Sequence, residues 1–303
     1  MTEDNGSRGA TVVVGTLQRG NYVLTCVRDL VAQTHRPLEI LIIDQSPNAD
    51  PVTHRELTSL VAEHPDLITY RAATPMGIPA VRNYGWRHAK YEGILFVDDD
   101  IRCGPDLVSE HMRALSLPGV GFVAGAIEEP RRPADTAHTG RFNRWTATPL
   151  GGFAAQGEKD VDHGRGCNFS AWRPALERAG GVDELLNIGA GLYEETELAL
   201  RLRRAGYRVY FNGKARLVHL EANTGGCRVK DIQKYIWGLG HNRAVLIRRH
   251  VSWYQFPTAV ARMAALSAAY AWHYRKPSLL PTSARSFMAG WRAAGQSPLR
   301  ALR

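Results

Sequence analysis

The sequence predicts an α/β fold with a mainly parallel central sheet, followed by a helical C-terminal region. Three observations predict it. Short apolar runs alternate with segments of helical apolar period through the first half of the chain. Several of those runs close on a hydroxyl or acidic residue, most conspicuously at Asp98-Asp99-Asp100. After Asn223-Thr224-Gly225-Gly226 the pattern turns helical to the end, broken near Pro257, Pro277 and Pro281.

Taken in order, Thr11 to Gly15 is a β-branched run ending in Gly, a first strand. Val23, Cys26, Val27, Leu30 and Val31 recur at i, i+3, i+4, i+7 and i+8, one apolar helix face. Glu39 to Asp44 is a second buried strand, Leu57, Leu60 and Val61 mark a helix, and Leu67 to Tyr70 a third strand. Ile78 to Ala89 is a helix. Ile94 to Val97 is too short for a helix and too apolar for a loop, so it is a strand. This βαβαβαβ alternation means a mainly parallel sheet, and such sheets bind ligands beyond the carboxyl ends of their strands. Thr16, Asp44 and Asp98 to Asp100 share that edge. A helix is expected over Pro105 to Ala114 and a strand over Val120 to Ile127. Glu129 to Arg165 is rich in Gly, Pro, Arg and Asp and weakly periodic, which predicts a long loop or lid. Gly166 to Trp172 is a strand, and a short helix ends at Gly180-Gly181. Glu194 to Ala205 is a helix with Leu198, Ala199 and Leu202 on one face. Val209 to Phe211 and Arg216 to His219 follow as two strands.

A chain of 303 residues buries a substantial core and holds one large domain or two small ones. Hydrophobic content of 44% and charged content of 22% are those of a soluble globular protein. Cys26, Cys103, Cys167 and Cys227 make no CxxC pair, which argues against a structural zinc site or disulfide framework and fits a reducing compartment. The N-terminus is polar, with no apolar signal segment, and no run reaches the roughly 18 apolar residues of a membrane span. The net charge of +9 is unevenly placed. Residues 228–303 carry 13 Lys/Arg and one acid, a balance of +12, which leaves −3 for the rest. The same tail holds four of the seven tryptophans. A basic, Trp-rich tail suits an anionic membrane surface, suits nucleic acid, or is simply a solvated basic helical domain.

Three carboxylates at the end of a buried strand repel one another unless a cation or donors sit among them. Hard oxygens of this kind suit Mg²⁺ or Mn²⁺. The triplet therefore reads as a metal site that holds a diphosphate, or as a solvated acidic turn. Glu194, Glu195 and Glu197 fall in the first turn of a helix, where acids favour the macrodipole. Glu197 also pairs at i, i+4 with Arg201, as a solvated surface acid or an orienter. Glu195 shares the face of Leu198 and Leu202 and points inward, and a buried unpaired acid is costly. His219 is a core residue or a ligand, Asp44 a turn cap or a base or ribose contact, and Arg82 a helix-surface charge or a diphosphate donor. Trp86 is expected in the core.

The order of these segments, from about Thr11 to Glu221, resembles the family 2 glycosyltransferases with the GT-A fold. Val12 to Arg19 resembles the family's first strand and nucleotide-facing turn, which implicates Thr16 and Arg19. Ile42-Ile43-Asp44-Gln45-Ser46 resembles the second-strand signature, with Gln45 where the family commonly has an acid or Asn. Gly77 to Asn83 resembles the segment that places Arg82 and Asn83 near the diphosphate. Val97-Asp98-Asp99-Asp100 resembles the DxD motif with Asp98 and Asp100 as its ends. Gly166-Cys167-Asn168 resembles an acceptor-side strand. Glu194-Glu195-Thr196-Glu197 resembles the "ED" signature, whose second acid, here Glu195 in place of the commoner Asp, is the catalytic base. Val218-His219-Leu220-Glu221 resembles the segment whose His completes the metal shell.

The resemblance implies an inverting transferase that moves a sugar from a nucleotide-diphosphate sugar, UDP- or dTDP-linked by family habit, to a glycan, lipid-linked or other hydroxyl acceptor. It implies Mn²⁺ or Mg²⁺ held by Asp98, Asp100 and His219, a donor site of Thr16, Arg19, Asp44, Gln45, Arg82, Asn83, Asp98 and Asp99, and an acceptor side with Asn168 and Glu194. The expected division is a polar tail over 1–10, a catalytic domain over 11–226 (donor half 11–128, acceptor half 129–226), and a basic aromatic-rich helical region over 227–303. No nucleic-acid partner is expected. The tail serves the acceptor side, a foothold on the inner face of the cell membrane of a cytoplasmic protein, or packing as a helical cap or homodimer contact. Two other readings compete: a nucleotidyltransferase, for which Leu17-Gln18-Arg19-Gly20 is too sparse a phosphate loop, and a non-catalytic nucleic-acid- or membrane-binding protein, which leaves Asp98 to Asp100 and Glu195 unexplained.

Overall fold

In the computed structural model the described residues are 8–47, 50–226, 229–297 and 299. Residues 1–7 of the expected polar tail, and Cys227 and Arg228 of the expected tail boundary, lie outside them. The elements are β1 Ala10–Thr16, α1 Asn21–Val31, β2 Leu38–Asp44, α2 Pro51–Glu63, β3 Ile68–Ala72, α3 Ile78–His88, β4 Gly93–Asp98, β5 Ile101–Cys103, α4 Leu107–Leu115 and β6 Val120–Glu128. There follow β7 Phe142–Asn143, β8 Thr148–Pro149, β9 Glu158–Asp160, β10 Asn168–Trp172, α5 Arg173–Ala179, α6 Glu194–Arg204 and β11 Arg208–His219. The C-terminal helices are α7 Ile232–His250, α8 Phe256–His273 and α9 Leu279–Gln296.

The main sheet runs β3-β2-β1-β4-β10-β6-β11-β5, with β9 pairing β11. Six of its nine strands, β3, β2, β1, β4, β6 and β11, point the same way. The sheet is thus mostly parallel, with β10 inserted antiparallel between β4 and β6. Its inner strands are apolar on both faces because helices cover both. Across β4, β10 and β6, Phe169 stacks on Phe96 at 4.7 Å and on Phe122 at 4.9 Å, which locks these strands in register. Helix α3 lies close on β1 because Gly85 has no side chain: a Cβ there would come within 2.4 Å of Val13. Asp50 caps α2 by accepting from the Thr53 amide at 2.9 Å, with Pro51 following it.

Several expectations are corrected here. Residues 129–165 are not a loose lid: β7 and β8 form a hairpin, β9 joins the main sheet, and Phe142, Phe153 and Val161 are buried. The two strands expected at 209–211 and 216–219 are one, β11, whose register with β6 shifts between Asn212 and Arg216. Strand β5, only three residues long, escaped periodicity altogether. Pro281 does not break a helix; it sits in the first turn of α9, where its missing amide costs nothing.

The C-terminal helices pack on the region before and within α6. Asn242 donates to the Leu186 and Leu192 carbonyls at 2.9 and 3.0 Å. Glu197, expected as a solvated surface acid or an orienter, is fully buried at the centre of an ionic hub. Its carboxylate accepts from Arg201 Nε at 2.6 Å and Arg249 Nη1 at 2.9 Å, with His250 Nε2 at 3.3 Å. Burial alone would raise this carboxyl, but Arg201, His250 and Arg249 outweigh it and hold it well below the usual range. No helix among the described residues is long and apolar enough to cross a membrane. Removing one partner of a buried ionic set strands the others, so Glu197→Gln should destabilise the fold by about 3–5 kcal/mol. Urea denaturation measures this, and an unchanged midpoint would refute the role of the hub.

Candidate active site

The carboxyl ends of β1, β2 and β4 bring Thr16, Asp44 and Asp98 to one edge of the sheet, as parallel strands of equal register must. A cleft at this edge is lined by Thr16, Arg19, Gln45, Arg82, Asp98 and Asp99. The chain then turns through Asp99 and Asp100 into β5. Antiparallel pairing of β5 with the end of β11 sets Ile101 opposite His219, so a residue more than a hundred positions away lands beside the acids. His219 Nε2 lies 3.4 Å from Asp100 Oδ1 and 3.8 Å from Asp98 Oδ2. One ligand atom from each of Asp98, Asp100 and His219 falls within 4.8 Å of the others.

This triad fits a divalent cation. Asp100 Oδ2 accepts from the Ala222 amide at 2.8 Å, whereas Asp100 Oδ1 is buried with no hydrogen-bond partner. A buried carboxylate oxygen left open beside a second carboxylate and an imidazole is the hard donor set that Mn²⁺ or Mg²⁺ takes. Burial would lower the His219 imidazole, but Asp100, Glu129 and Asp98 push it up to about 9. Glu129 was missed in the sequence, where it opened the presumed loop. Its Oε1 stands 3.5 Å from His219 Nδ1, and Arg165 grips both its oxygens at 2.8 Å. An orienting carboxylate behind a ligand His is what a metal site requires, and its signal was an acid directly after a long buried strand.

Arg19 Nε is 2.9 Å from Asp99 Oδ1, and Arg19 Nη1 is 3.4 Å from Asp100 Oδ2. Burial pushes the Asp99 carboxyl up to about 7, against Arg19 and the Thr16 hydroxyl, which favour its charged form. Gln45 spends its Oε1 on the Met76 and Gly77 amides at 2.8 and 3.3 Å, which fixes the loop into α3. Asp44 is buried, accepting from Tyr70 Oη at 2.9 Å and the Ser46 amide at 2.9 Å.

Arg82 is buried, with its guanidinium 5.0 Å over the Phe169 ring. It contacts Glu194, donates to the Gly166 carbonyl at 2.8 Å, and lies 3.9 Å from Asp98 Oδ1. Burial pushes the Glu194 carboxyl up, against the pull of Arg82 in contact with it. Glu195, next on the helix, is part-exposed, and its only hydrogen bond among the described residues is a long one from Thr196 Oγ1 at 3.3 Å.

Two expected site residues stand elsewhere. Asn83 is buried, donating to the Val182 carbonyl and Glu184 and accepting from Trp86 Nε1 and the Val182 amide. Asn168 is buried among sheet strands, donating to the Ala126 and Ala215 carbonyls at 2.9 Å and bonded to His111 at 2.8 Å. Both amides are fully committed to holding the scaffold and have no group left for a ligand. Trp86 is in the core, as expected.

Comparison with known proteins agrees with this geometry. The O-antigen biosynthesis protein RfbC of Myxococcus xanthus is 25% identical over 237 residues, 72% of this chain and 18% of that protein, so the chain spans under a fifth of this relative's length. The solved mannosyltransferase PcManGT from Pyrobaculum calidifontis, in complex with GDP-Man and Mn²⁺, superposes with a TM-score of 0.58 at 20% identity, covering 97% of this chain and 78% of that one. GalNAc-T7 with UDP, GalNAc and Mn²⁺ superposes with a TM-score of 0.62 at 16% identity, covering 81% and 51%. Residues 11–178, more than half of the chain, match the profile of Glycosyl transferase family 2. The chain belongs to glycosyl transferase family 2 and has the GT-A fold.

Proposed function

We propose that the protein is a metal-dependent, inverting glycosyltransferase that takes a sugar from a nucleoside-diphosphate sugar and passes it to a hydroxyl of a glycan or lipid-linked acceptor. The carrying observation is the convergence of Asp98, Asp100 and His219 at the sheet edge, with Asp100 Oδ1 left open. A Mn²⁺ or Mg²⁺ ion held there would supply Lewis-acid stabilisation of the charge that grows on the leaving diphosphate. Thr16, Arg19, Asp44 and Gln45 line or support the nucleotide side of the cleft. Arg82, buried beneath Asp98 and balanced by Glu194, adds a fixed positive charge to the same edge.

The acceptor hydroxyl must lose a proton as it attacks. Of the three acids that open α6, Glu194 is bound to Arg82 and Glu197 is bound in the hub. Glu195 makes no ion pair among the described residues and is the carboxylate left to take the proton. Attack from its side, opposite the leaving diphosphate, inverts the anomeric centre. In this reading residues 11–128 carry the donor side, 129–226 the base and the acceptor side, and 227–303 brace the helix that bears the base. The ligands bound in the two similar solved structures, GDP-Man and UDP, put GDP- and UDP-sugars first among donors to test.

Thermal unfolding with UDP, GDP, dTDP and CDP, each with and without Mn²⁺, tests the site. A diphosphate at about 100 times its dissociation constant should add roughly 2.7 kcal/mol, only with metal present. Asp100→Asn should abolish the metal-dependent shift, and a shift that survives that change would remove Asp100 from the metal site. Glu195→Gln should keep the shift yet slow transfer by roughly 10²–10⁴-fold. Unchanged turnover in that variant would rule out Glu195 as the base.

A further inference from the structure

The first turn of α6 reaches the active site through Glu194 and Arg82; its last turn opens on a different surface. An open cavity of about 630 Å³ between the β7–β8 hairpin and that turn is lined by Arg141, Arg144, Trp145 and Arg203. A second, of about 710 Å³, is lined by Arg204, Arg248, Arg249 and Trp253 at the α7–α8 junction. A small cavity lined by Arg144, Arg203 and Arg204 joins the two. Six arginines therefore line one cleft, with Asp162 the one carboxylate lining it among the described residues. Asp162 is already engaged by Arg203 and by the Phe142 amide. Burial depresses the Arg203 guanidinium, and the neighbouring charges of Arg144 and Arg141 depress it further. Arg249, only 5% exposed, is paired through Nη1 with Asp183 and Glu197 and belongs to the buried hub that backs the cleft. Positive charge is thus concentrated at one surface, with Arg141, Arg144, Arg203 and Arg204 all exposed there.

The rim of the cleft is aromatic. Trp253 is 79% exposed, and Tyr254 lies edge-on to it and to Trp145, each at 6.0 Å. Helix α8 leaves from this cluster, runs 18 residues or about 27 Å, and ends beside Trp272, which is 87% exposed. The buried stripe of α8 is Ala259, Met263, Ser267 and Ala271. Its exposed side carries Val260, five alanines and a single cation, Arg262. From Ile232 to Gln296 there are nine Lys/Arg and no acid. Tryptophans at both ends, an apolar face between them and arginines alongside match the chemistry of a bilayer interface. A nucleic acid or an acidic polysaccharide would use the arginines but would leave the face of α8 without a partner.

We propose that the arginine cleft and the exposed face of α8 form one surface that docks the protein on an anionic lipid bilayer. The exposed arginines, Arg141, Arg144, Arg203 and Arg204, take headgroup phosphates, and Trp145, Trp253 and Trp272 enter the interface. The surface is wider than the basic tail read from sequence, because the hairpin and the end of α6 contribute to it. It deepens the proposed function by favouring the lipid-linked class of acceptor, a clause that rests on the transferase reading; the docking itself does not.

The test is flotation of the full chain with phosphatidylcholine vesicles, with and without phosphatidylglycerol, in chelator and without any donor. The wild type should bind only the anionic vesicles and be released by salt. Arg141→Ser with Arg144→Ser should weaken binding about fivefold per arginine, roughly thirtyfold together. Trp253→Ser with Trp272→Ser should also weaken binding and reduce the blue shift of tryptophan emission on vesicles. Unchanged melting temperatures show that the variants fold. Equal binding to neutral vesicles, no binding at all, variants that bind like the wild type, or tighter binding to heparin or duplex RNA that the Trp variants leave intact would each overturn the proposal. Vesicle binding with no metal-dependent diphosphate shift would uphold the docking surface and count against the transferase reading alone.

Discussion

Asp98, Asp99 and Asp100 cannot share the end of one buried strand without opposing charge, and much of the architecture supplies it. Each compensating group comes from a different element. Arg19 arrives on the turn after β1, Arg82 on α3, and His219 across the sheet on β11. Two of these cations are then balanced from behind, His219 by Glu129 and Arg82 by Glu194. The result is alternating charge at low dielectric, where pairing is strong and an unpaired group is costly. Strand β5 is short, but it carries much of this arrangement. Without its pairing to β11, His219 would have no reason to sit beside Asp100.

A second set of charges fixes the other wall. Helix α6 carries acids in its first turn and arginines in its last, so its own dipole favours both ends. That local preference does not orient the helix. Orientation comes from Glu197, whose partners Arg249 and His250 belong to α7, and from Asn242, which holds the segment leading into α6. Arg243 adds bonds to the hairpin at Thr146 and Thr148 and lies 5.9 Å over Tyr193, the residue that begins the helix with a left-handed φ of 73°. The C-terminal helices are thus part of the framework that aims the first turn of α6.

The inner parallel strands β1, β2 and β4 were legible because each is a largely apolar run closed by a polar residue, a pattern that depends on local sequence only. The acids of the site were legible for the same reason. What could not be read was whatever depends on pairing over long separations. Glu194, Glu195 and Glu197 look alike in sequence, three acids in one helical turn. Their fates differ because Arg82, over a hundred residues earlier, claims the first, and Arg249, some fifty residues later, claims the third. Asn83 and Asn168 failed as site residues on the same ground. Each has backbone carbonyls of distant segments within reach, and a buried amide that can satisfy both ends internally does so. The hairpin within 129–165 was hidden because its strands are two residues each, below any periodicity.

The two ends of α6 also separate two demands that a transferase handling an anchored acceptor must meet. Chemistry needs a dry, charge-balanced site, whereas a phosphate-rich surface needs exposed, under-compensated cations. Placed together, the arginines of the cleft would neutralise the carboxylates at the sheet edge. Glu195 and Arg203 stand eight positions apart on the helix, a rise of about 12 Å. The buried Glu197 hub, whose acids and cations are paired with one another, lies between the two ends. One rigid helix therefore holds its acidic first turn and its basic last turn in fixed relation, with a charge-balanced hub between them.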